Sequence, residues 1–247
     1  MHFPFNALRP AARGGRKVIG VVDWQTEFEV PDAYRVLANH HTGGRLVADR
    51  LWDAGHRTVL VVGTESMIHG LHHGRPFMPG PAPSFASRWR ELGGELHSAV
   101  GKRPSLNEDL AFDAQELAEA LDAKPCPSAV FGLNDYVLTC ARPAIRSLRP
   151  GQSFAWVGYG HTPWSETGAE PFPSIDLNLG LIAEHAVEAI EAFRRGEVPP
   201  AHDPVWVEPE WAEPGASSSI AQARGSLLTA APGAPGARDI DMPGDQV

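Results

Sequence analysis

The chain is poor in cysteine, in clustered positive charge and in long apolar runs. Its 247 residues include two cysteines, Cys126 and Cys140, which are too few for a disulfide framework and typical of reduced thiols in the cytosol. The net charge of −9, without a cluster of lysines and arginines, argues against an electrostatic surface for nucleic acid. No apolar run approaches the roughly 18 residues that span a bilayer, and residues 1–16 lack the apolar core of a secretory signal. These absences predict a cytoplasmic protein that does not enter a membrane.

Sequence signatures of catalysis and of cofactor binding are also missing. There is no Gly-x-Ser-x-Gly nucleophile turn and no Gly-x-x-x-x-Gly-Lys phosphate loop. The three histidines of His69–His73 lie in a stretch, residues 65–83, whose histidine, glycine and proline content predicts a long loop. A zinc site needs ligands on rigid elements, and no His-Glu-x-x-His helix accompanies these histidines. We therefore expect no metal, no cofactor and no enzymatic activity.

Two short apolar segments in the second half of the chain stop abruptly at polar residues. Residues 129–133 (AVFGL) end at Asn134, and residues 154–158 (FAWVG) end at a loop that contains His161. Strands that are apolar on both faces are buried on both faces, which indicates a parallel sheet covered by helices. Because ligands bind beyond the carboxyl ends of such strands, Asn134 and His161 are candidate ligand-binding residues.

Strands alternate with helices along most of the chain, which predicts an α/β architecture. After about Pro214 the composition shifts to serine, alanine, glycine and proline, which predicts a tail that cannot fold by itself. Strands are predicted over residues 17–23 and 58–62, and helices over residues 86–96, 110–121, 135–148 and 179–195.

Three stretches together resemble the effector-binding domain of the lactose-repressor (LacI/GalR) family of transcription regulators. The family's apolar strand with Asn-Asp and its Val-Gly-Tyr-Asp-Asp-Thr motif are similar to residues 131–135 (FGLND) and 157–162 (VGYGHT). The family's Gly-Gly-Arg, helix, Leu-Gly-His-Arg and strand match residues 43–63, and its closing segment matches residues 173–211. The stretches follow the family's order and span about residues 17–215.

The resemblance implies a periplasmic-binding-protein-like fold with Rossmann-like parallel sheets, one complete lobe and a partial first lobe. The family's N-terminal helix-turn-helix and the start of its first lobe find no counterpart in this chain. The expected division is an N-terminal extension (1–16), a partial first lobe (17–38), a second lobe (39–175), a return to the first lobe with a closing strand (176–215) and a disordered tail (216–247).

The resemblance also implies a function. It predicts a noncatalytic sensor that binds a small polar ligand of sugar-like chemistry between the lobes. The missing elements of the first lobe would leave apolar faces uncovered, which predicts a homodimer or a poorly soluble chain. The missing helix-turn-helix predicts no direct DNA binding by this chain alone. Three alternatives stay open: a solute-binding protein of a sugar transporter, an enzyme on a doubly wound fold, and a degenerate fragment that binds nothing.

The family's ligand site supplies the first candidate residues. The resemblance assigns Asn134, Tyr159 and His161 to ligand binding. Gly160 and His161 stand where the family has paired aspartates, the first of which often grips ligand hydroxyls through strong charge-assisted hydrogen bonds. Asn134 has a structural alternative as a helix cap, and His161 has one as a loop residue that faces water.

Two arginines complete the candidates. The family often places a ligand-binding arginine before a Leu-x-x-x-Gly pattern, and Arg88 lies near the corresponding region, although Ser84 aligns with that position. Arg75 is a second candidate. The structural alternative for both arginines is a solvated surface position.

Overall fold

The computed structural model describes residues 19–21, 34–73, 80–103, 109–167, 170–197 and 204–215. These residues form a parallel three-stranded sheet, a mostly parallel five-stranded sheet, one antiparallel strand pair and seven helices. The strands are β1 (Ile19–Val21), β2 (Tyr34–Ala38), β3 (Thr58–Thr64), β4 (Glu95–Lys102), β5 (Ala111–Phe112), β6 (Ala129–Gly132), β7 (Ala155–Val157), β8 (Ser174–Asp176), β9 (Val205–Val207) and β10 (Glu210–Ala212). The helices are α1 (His40–Asp53), α2 (Glu65–His73), α3 (Ala82–Glu91), α4 (Ala114–Leu121), α5 (Asp135–Leu148), α6 (Pro163–Glu166) and α7 (Leu179–Arg194).

The larger sheet has five strands in the order β5-β4-β3-β6-β7. β3 pairs in parallel with β4 on one side and with β6 on the other, and β7 continues in parallel from β6. The short β5 runs antiparallel to β4 at the edge. The chain therefore winds to one side of β3 and then to the other. Such a reversal opens a crevice at the carboxyl ends of β3 and β6.

Helices cover both faces of the larger sheet. On one face, Phe85 and Trp89 of α3 stack with their ring centroids 5.7 Å apart, and Phe85 lies 4.8 Å from Phe131 of β6. On the other face, α4 and α5 pack on the strands through Leu117, Leu138 and other apolar residues. Fully burying side chains of this size stabilises the fold by about 1.5–3 kcal/mol each. The residues of β3 from 58 to 63 are accordingly buried without interruption.

The smaller sheet has three parallel strands in the order β1-β2-β9, and α7 packs against β1 and β2. β8 and β10 form a separate antiparallel pair, in which Ile175 is opposite Trp211. On the outside of these elements, Val187 and Ile190 of α7 and Trp206 of β9 remain exposed. Among the helices of the described residues, none combines the length and apolarity needed to cross a bilayer.

The predicted α/β architecture with parallel sheets is confirmed. The helix predicted over residues 135–148 begins and ends where the structure places α5. The predicted strands near residues 17–23 and 58–62 are β1 and β3. The parts of the expected division that cover residues 1–16 and 216–247 lie outside the described residues, as does Arg75.

Three local predictions are wrong. Residues 65–83 are not one long loop, because α2 occupies Glu65–His73 and buries Ile68 and Leu71 one helical turn apart. The helix predicted over 86–96 ends at Glu91, where Gly93 adopts a φ of 86° that ordinary side chains avoid, and β4 follows. The helix predicted over 110–121 starts at residue 114, since the carboxylate of Asp113 caps it by accepting hydrogen bonds from two backbone N–H groups.

Candidate functional site

A cleft of about 930 Å³ lies at the carboxyl edge of the larger sheet. Its walls come from the ends of the three central strands, with Thr64 ending β3, Lys102 ending β4 and Asn134 following β6. This position is the crevice created where the winding reverses at β3. Ligands of doubly wound proteins bind at such crevices, so the topology marks this cleft as the candidate site.

One wall is the end of β3 and the first turn of α2. The hydroxyls of Thr64 and Ser66 lie 3.2 Å apart and share a hydrogen bond. Glu65 is exposed between them, and Met67 adds an apolar surface. This wall therefore offers two hydroxyls and one carboxylate to a polar ligand.

The opposite wall is the start of α5. Asn134 has an extended backbone, and its side-chain oxygen accepts a hydrogen bond from Tyr136 N at 2.9 Å, so it caps the helix. Within the described part of the chain, the amide nitrogen of Asn134 makes no hydrogen bond. Capping and ligand binding are compatible here, because the first uses the oxygen and the second would use the N–H₂ group.

Tyr136 and the end of β4 close the cleft on its third side. The Tyr136 hydroxyl donates to Asp109 Oδ1 at 3.1 Å, and its ring lies 6.0 Å from the guanidinium carbon of Arg103. Lys102 and Arg103 are both exposed and both line the cleft. The charged groups that line the described cleft are therefore two cations and Glu65.

His161 lies outside this cleft lining. It is 2% exposed, so the alternative of a loop histidine that faces water is wrong. Its backbone has a φ of 43°, its N–H donates to Ser174 Oγ at 3.0 Å, and its Nδ1 is 3.6 Å from Glu166 Oε1. Neither ring nitrogen has a hydrogen-bond partner among the described residues. His161 and Asn134 thus end neighbouring strands without lining the same described cleft.

Tyr159 is fully buried where the larger sheet meets α1. Its hydroxyl shares a hydrogen bond of 2.9 Å with Nδ1 of His40, a residue 119 positions away in the sequence. Its ring packs edge-on against Phe131 at 6.4 Å. Gly43 allows this approach, because a Cβ there would lie 2.5 Å from the Tyr159 hydroxyl. Tyr159 therefore joins the loop after β7 to the start of α1.

Arg88 of α3 bonds to Asp49 of α1 and does not line the cleft. Its Nε donates to Asp49 Oδ1 at 2.7 Å, and its Nη1 lies 3.2 Å from Glu91 Oε2. The hydrogen bond with Asp49, followed by that with Glu91, raises the pKa of Arg88. Ser84, which aligns with the family's arginine, is buried and donates to backbone carbonyls of His40 and Pro81.

Sequence reasoning missed several residues that shape the site. Lys102 and Arg103 escaped notice because β4 was not predicted, and Glu65 and Tyr136 carry no motif of their own. Asp135 was noted as part of a motif, but its burial was not foreseen. The segment that ends at Lys102, ELHSAVGK, mixes polar with apolar side chains, so it carries no clear strand pattern that would have pointed to the two cations.

The histidine-rich segments form no metal centre in the part of the chain that the structure describes. No group of three or more histidine, cysteine, aspartate or glutamate side chains is arranged there to hold a metal ion. His40 is engaged with Tyr159, and His69 is exposed on α2.

Known proteins match this chain by structure and not by sequence. No protein-family model matches the sequence, and no curated protein matches it either. Solved structures do match, and three of them have sequence identities of 15% to 17% to this chain.

Bacterial regulators are among the matching structures. A LacI-family transcriptional regulator from Arthrobacter sp. FB24 is 17% identical with a TM-score of 0.63, over 81% of this chain and 69% of that one. Its complex with lactose is 16% identical with a TM-score of 0.58, over 72% and 63%. A periplasmic binding protein/LacI transcriptional regulator from Alkaliphilus metalliredigens QYMF, complexed with D-xylulofuranose, is 15% identical with a TM-score of 0.57, over 84% and 80%.

This chain has the periplasmic-binding-protein-like fold. The fold implied by the sequence resemblance is thereby confirmed. At this level of identity the likeness establishes the arrangement of the strands and helices. A fold of this kind hosts different functions, so the function depends on the residues of the cleft.

Proposed function

We propose that this chain is the ligand-sensing domain of a LacI-type transcription regulator, acting in the cytoplasm. It binds a small, sugar-like ligand in the cleft at the carboxyl edge of the larger sheet, and it does not transform that ligand. The observation that carries the proposal is the pairing of a cleft at the topological switch point with polar groups on its walls. The sugars in two similar structures, lactose and D-xylulofuranose, support the ligand class.

The chemistry of the walls suits hydroxyl groups. Thr64 and Ser66 can both donate and accept, Glu65 accepts, and the amide of Asn134 donates. Met67 and Leu110 provide the apolar surface on which the carbon face of a sugar can rest. In this proposal Tyr159 and His161 support the loop behind the site, and Asn134 contacts the ligand.

Binding without catalysis is the reading that the lining supports. A nucleophile requires a base within hydrogen-bond reach, whereas the hydroxyls of Thr64 and Ser66 bond to each other and, among the described residues, neither bonds to the carboxylate of Glu65 or the amine of Lys102. No histidine is among the residues that line the described cleft.

The test is a panel of sugars and nucleosides, read first by thermal shift and then by titration calorimetry. Asn134→Ser is the informative variant, because serine retains an oxygen that caps α5 but removes the amide donor. Leaving a ligand hydroxyl without its partner costs about 1–3 kcal/mol, so we expect affinity to fall roughly tenfold to a hundredfold. Asp113→Ser, which alters the cap of α4 away from the cleft, is the matched control and should leave affinity unchanged. Equal affinity in the Asn134→Ser variant would contradict this site.

We also propose that the chain forms a homodimer. Exposed apolar residues on the smaller sheet and its helix, Val187, Ile190 and Trp206, provide a surface that association would cover. Sedimentation equilibrium should give a dimer mass, and Val187→Lys with Ile190→Glu should shift it to a monomer. A compact wild-type monomer would contradict the proposal.

DNA binding by this chain alone is not expected. Its net charge of −9 opposes contact with phosphates. Titration against mixed duplexes at moderate salt should show no binding tighter than non-specific levels of about 10⁻⁴–10⁻⁶ M. A submicromolar, sequence-dependent complex would be the contrary result.

A further inference from the structure

The cleft is lined by more positive than negative charge, although the whole chain is acidic. Lys102 and Arg103 stand against the single carboxylate of Glu65 among the charged lining residues of the described cleft, in a chain of net charge −9. A local excess of the opposite sign raises the concentration of an oppositely charged ligand at the site. The charge of the lining therefore bears on which ligand it selects.

The sheet register fixes where these charges stand. β3 and β4 run in parallel, with Gly101 opposite Thr64. Lys102 and Glu65 are therefore the residues that directly follow this pair in the sequence. Lys102 forms no ion pair within 4.0 Å with a described residue, although Glu65 follows so closely in register. With no ion pair among the described residues, its ammonium group can bind a ligand that enters at the ends of these strands.

Arg103 is available in the same way. Its guanidinium packs near the ring of Tyr136 at 6.0 Å, and it makes no ion pair with a described residue. Packing near an aromatic ring orients the planar guanidinium while leaving its N–H groups to bind a carboxylate or phosphate in a bidentate manner. Asp109, a described acid close to this wall, accepts a hydrogen bond from the Tyr136 hydroxyl.

The first turn of α2 adds to this positive potential. Glu65, Ser66 and Met67 line the cleft at the start of the helix, where backbone N–H groups lack partners within the helix. Glu65 opposes an anion from the same turn. A ligand that places its negative group near Lys102 and Arg103, and its hydroxyls near Glu65 and Asn134, satisfies all of these groups.

We propose that the ligand of this cleft is an anionic sugar, a sugar acid or a sugar phosphate, and that Lys102 and Arg103 bind its negative group. This inference rests on the proposed sugar-sensing function and narrows its ligand class. The side chains of Thr64 and Asn134 would then bind hydroxyls, and Glu65 would discriminate against a second negative group.

The experiment compares ligands that share a carbon skeleton. D-glucose, D-glucuronate and D-glucose 6-phosphate form one set, D-ribose and D-ribose 5-phosphate a second, and inorganic phosphate alone is included. Calorimetric titrations are run on the full chain at low and at high salt. We expect an anionic member to bind at least about tenfold more tightly than its neutral parent. Its affinity should weaken as salt screens the charges. The uronate and phosphate arms separate the two sources of negative charge.

Variants assign the effect to residues. Lys102→Gln and Arg103→Gln are exposed changes that should fold, and each should reduce the ratio of anionic to neutral affinity by about tenfold. Glu65→Gln should increase that ratio. Lys124→Gln removes the same charge from an exposed residue outside the cleft lining and should leave the ratio unchanged.

The outcomes separate this inference from the function on which it rests. If neutral sugars bind as tightly as anionic ones and Asn134→Ser weakens their binding, the proposal of an anionic ligand is wrong. The proposal that the cleft binds a sugar would then still hold. Inorganic phosphate that binds as tightly as a sugar phosphate would overturn the sugar requirement. Failure of every member to bind would overturn both proposals.

Discussion

Asp135 accepts a hydrogen bond from Ser174 Oγ at 2.6 Å, and both side chains are fully buried. The second carboxylate oxygen accepts from Thr162 N at 2.6 Å and from Thr162 Oγ1 at 2.9 Å. One buried carboxylate thus joins the start of α5, the loop after β7 and strand β8. Because Gly160 and His161 directly precede Thr162, Asp135 holds the loop that contains them.

Replacing Asp135 by asparagine should destabilise the fold. The amide can offer one oxygen, so its N–H₂ group would meet the hydrogen-bond donors of Ser174 or Thr162. Leaving buried donors unsatisfied costs about 1–3 kcal/mol, which should appear in the free energy of unfolding measured with urea. Asp113→Asn, at an exposed helix cap where asparagine caps equally well, is the control and should change stability little. Equal losses in the two variants would contradict the argument.

The stability should also depend on pH through this carboxyl group. Burial raises the pKa of Asp135 above its ordinary value of 3.8, against the opposing effect of the hydrogen bonds from Ser174 and Thr162. The folded state then holds the proton more tightly than the unfolded state. The contribution of this group is therefore fully present below pH 3.8 and is lost as the pH rises through the pKa of the folded state.

The measurement is the difference in unfolding free energy between the wild type and Asp135→Asn, taken from pH 3.5 to about pH 7. We expect the advantage of the wild type to shrink as the pH rises. A growing advantage would mean that the three hydrogen bonds outweigh burial and lower the pKa of Asp135.

Arg88→Gln should leave ligand affinity unchanged. Arg88 does not line the cleft, and its guanidinium is paired with Asp49 of α1 and with Glu91 of α3. Exposed pairs of this kind contribute little to stability and are screened by salt. Calorimetry with any ligand found in the panel, alongside Asn134→Ser, checks the expectation. A loss of affinity equal to that of Asn134→Ser would instead support Arg88 as a ligand-binding residue.

The sequence predicts the buried strands well because their signal is local. β3 and β6 are apolar on both faces, and Asn134 marks the start of α5 through its capping chemistry. β4 could not be predicted in the same way. Its residues, ELHSAVGK, are mostly half-buried and mix polar with apolar side chains, so neither period dominates.

The candidate site was harder to predict than the fold. Asn134 was found because it directly follows a buried strand, whereas Lys102 follows a strand that the pattern hides. The partnership of Tyr159 with His40 joins residues 119 positions apart and depends on the packing of α1 against the sheet. Contacts of that kind follow from tertiary structure and leave no local signal.

Gly158 is a position where a single methyl group should be disruptive. A Cβ there would lie 2.1 Å from Asp135 Oδ1 and 2.6 Å from Phe172 Cε2. The carboxylate cannot move away without breaking its hydrogen bonds to Ser174 and Thr162. We expect Gly158→Ala to destabilise the fold by about 1–3 kcal/mol, as overpacking of a core does, in urea unfolding.

Two further variants show whether the clash with Asp135 causes the loss of stability expected for Gly158→Ala. Gly80→Ala places a methyl group where no atom lies within 4 Å, so it should leave stability nearly unchanged. In a double-mutant cycle, Gly158→Ala should cost less in an Asp135→Ala background than in the wild type, because the atom that the methyl group meets is gone. Additive losses would place the strain on Phe172 and separate Gly158 from the buried carboxylate. A neutral Gly158→Ala would mean that the loop after β7 adjusts without disturbing Asp135, and the role assigned to that carboxylate would be wrong.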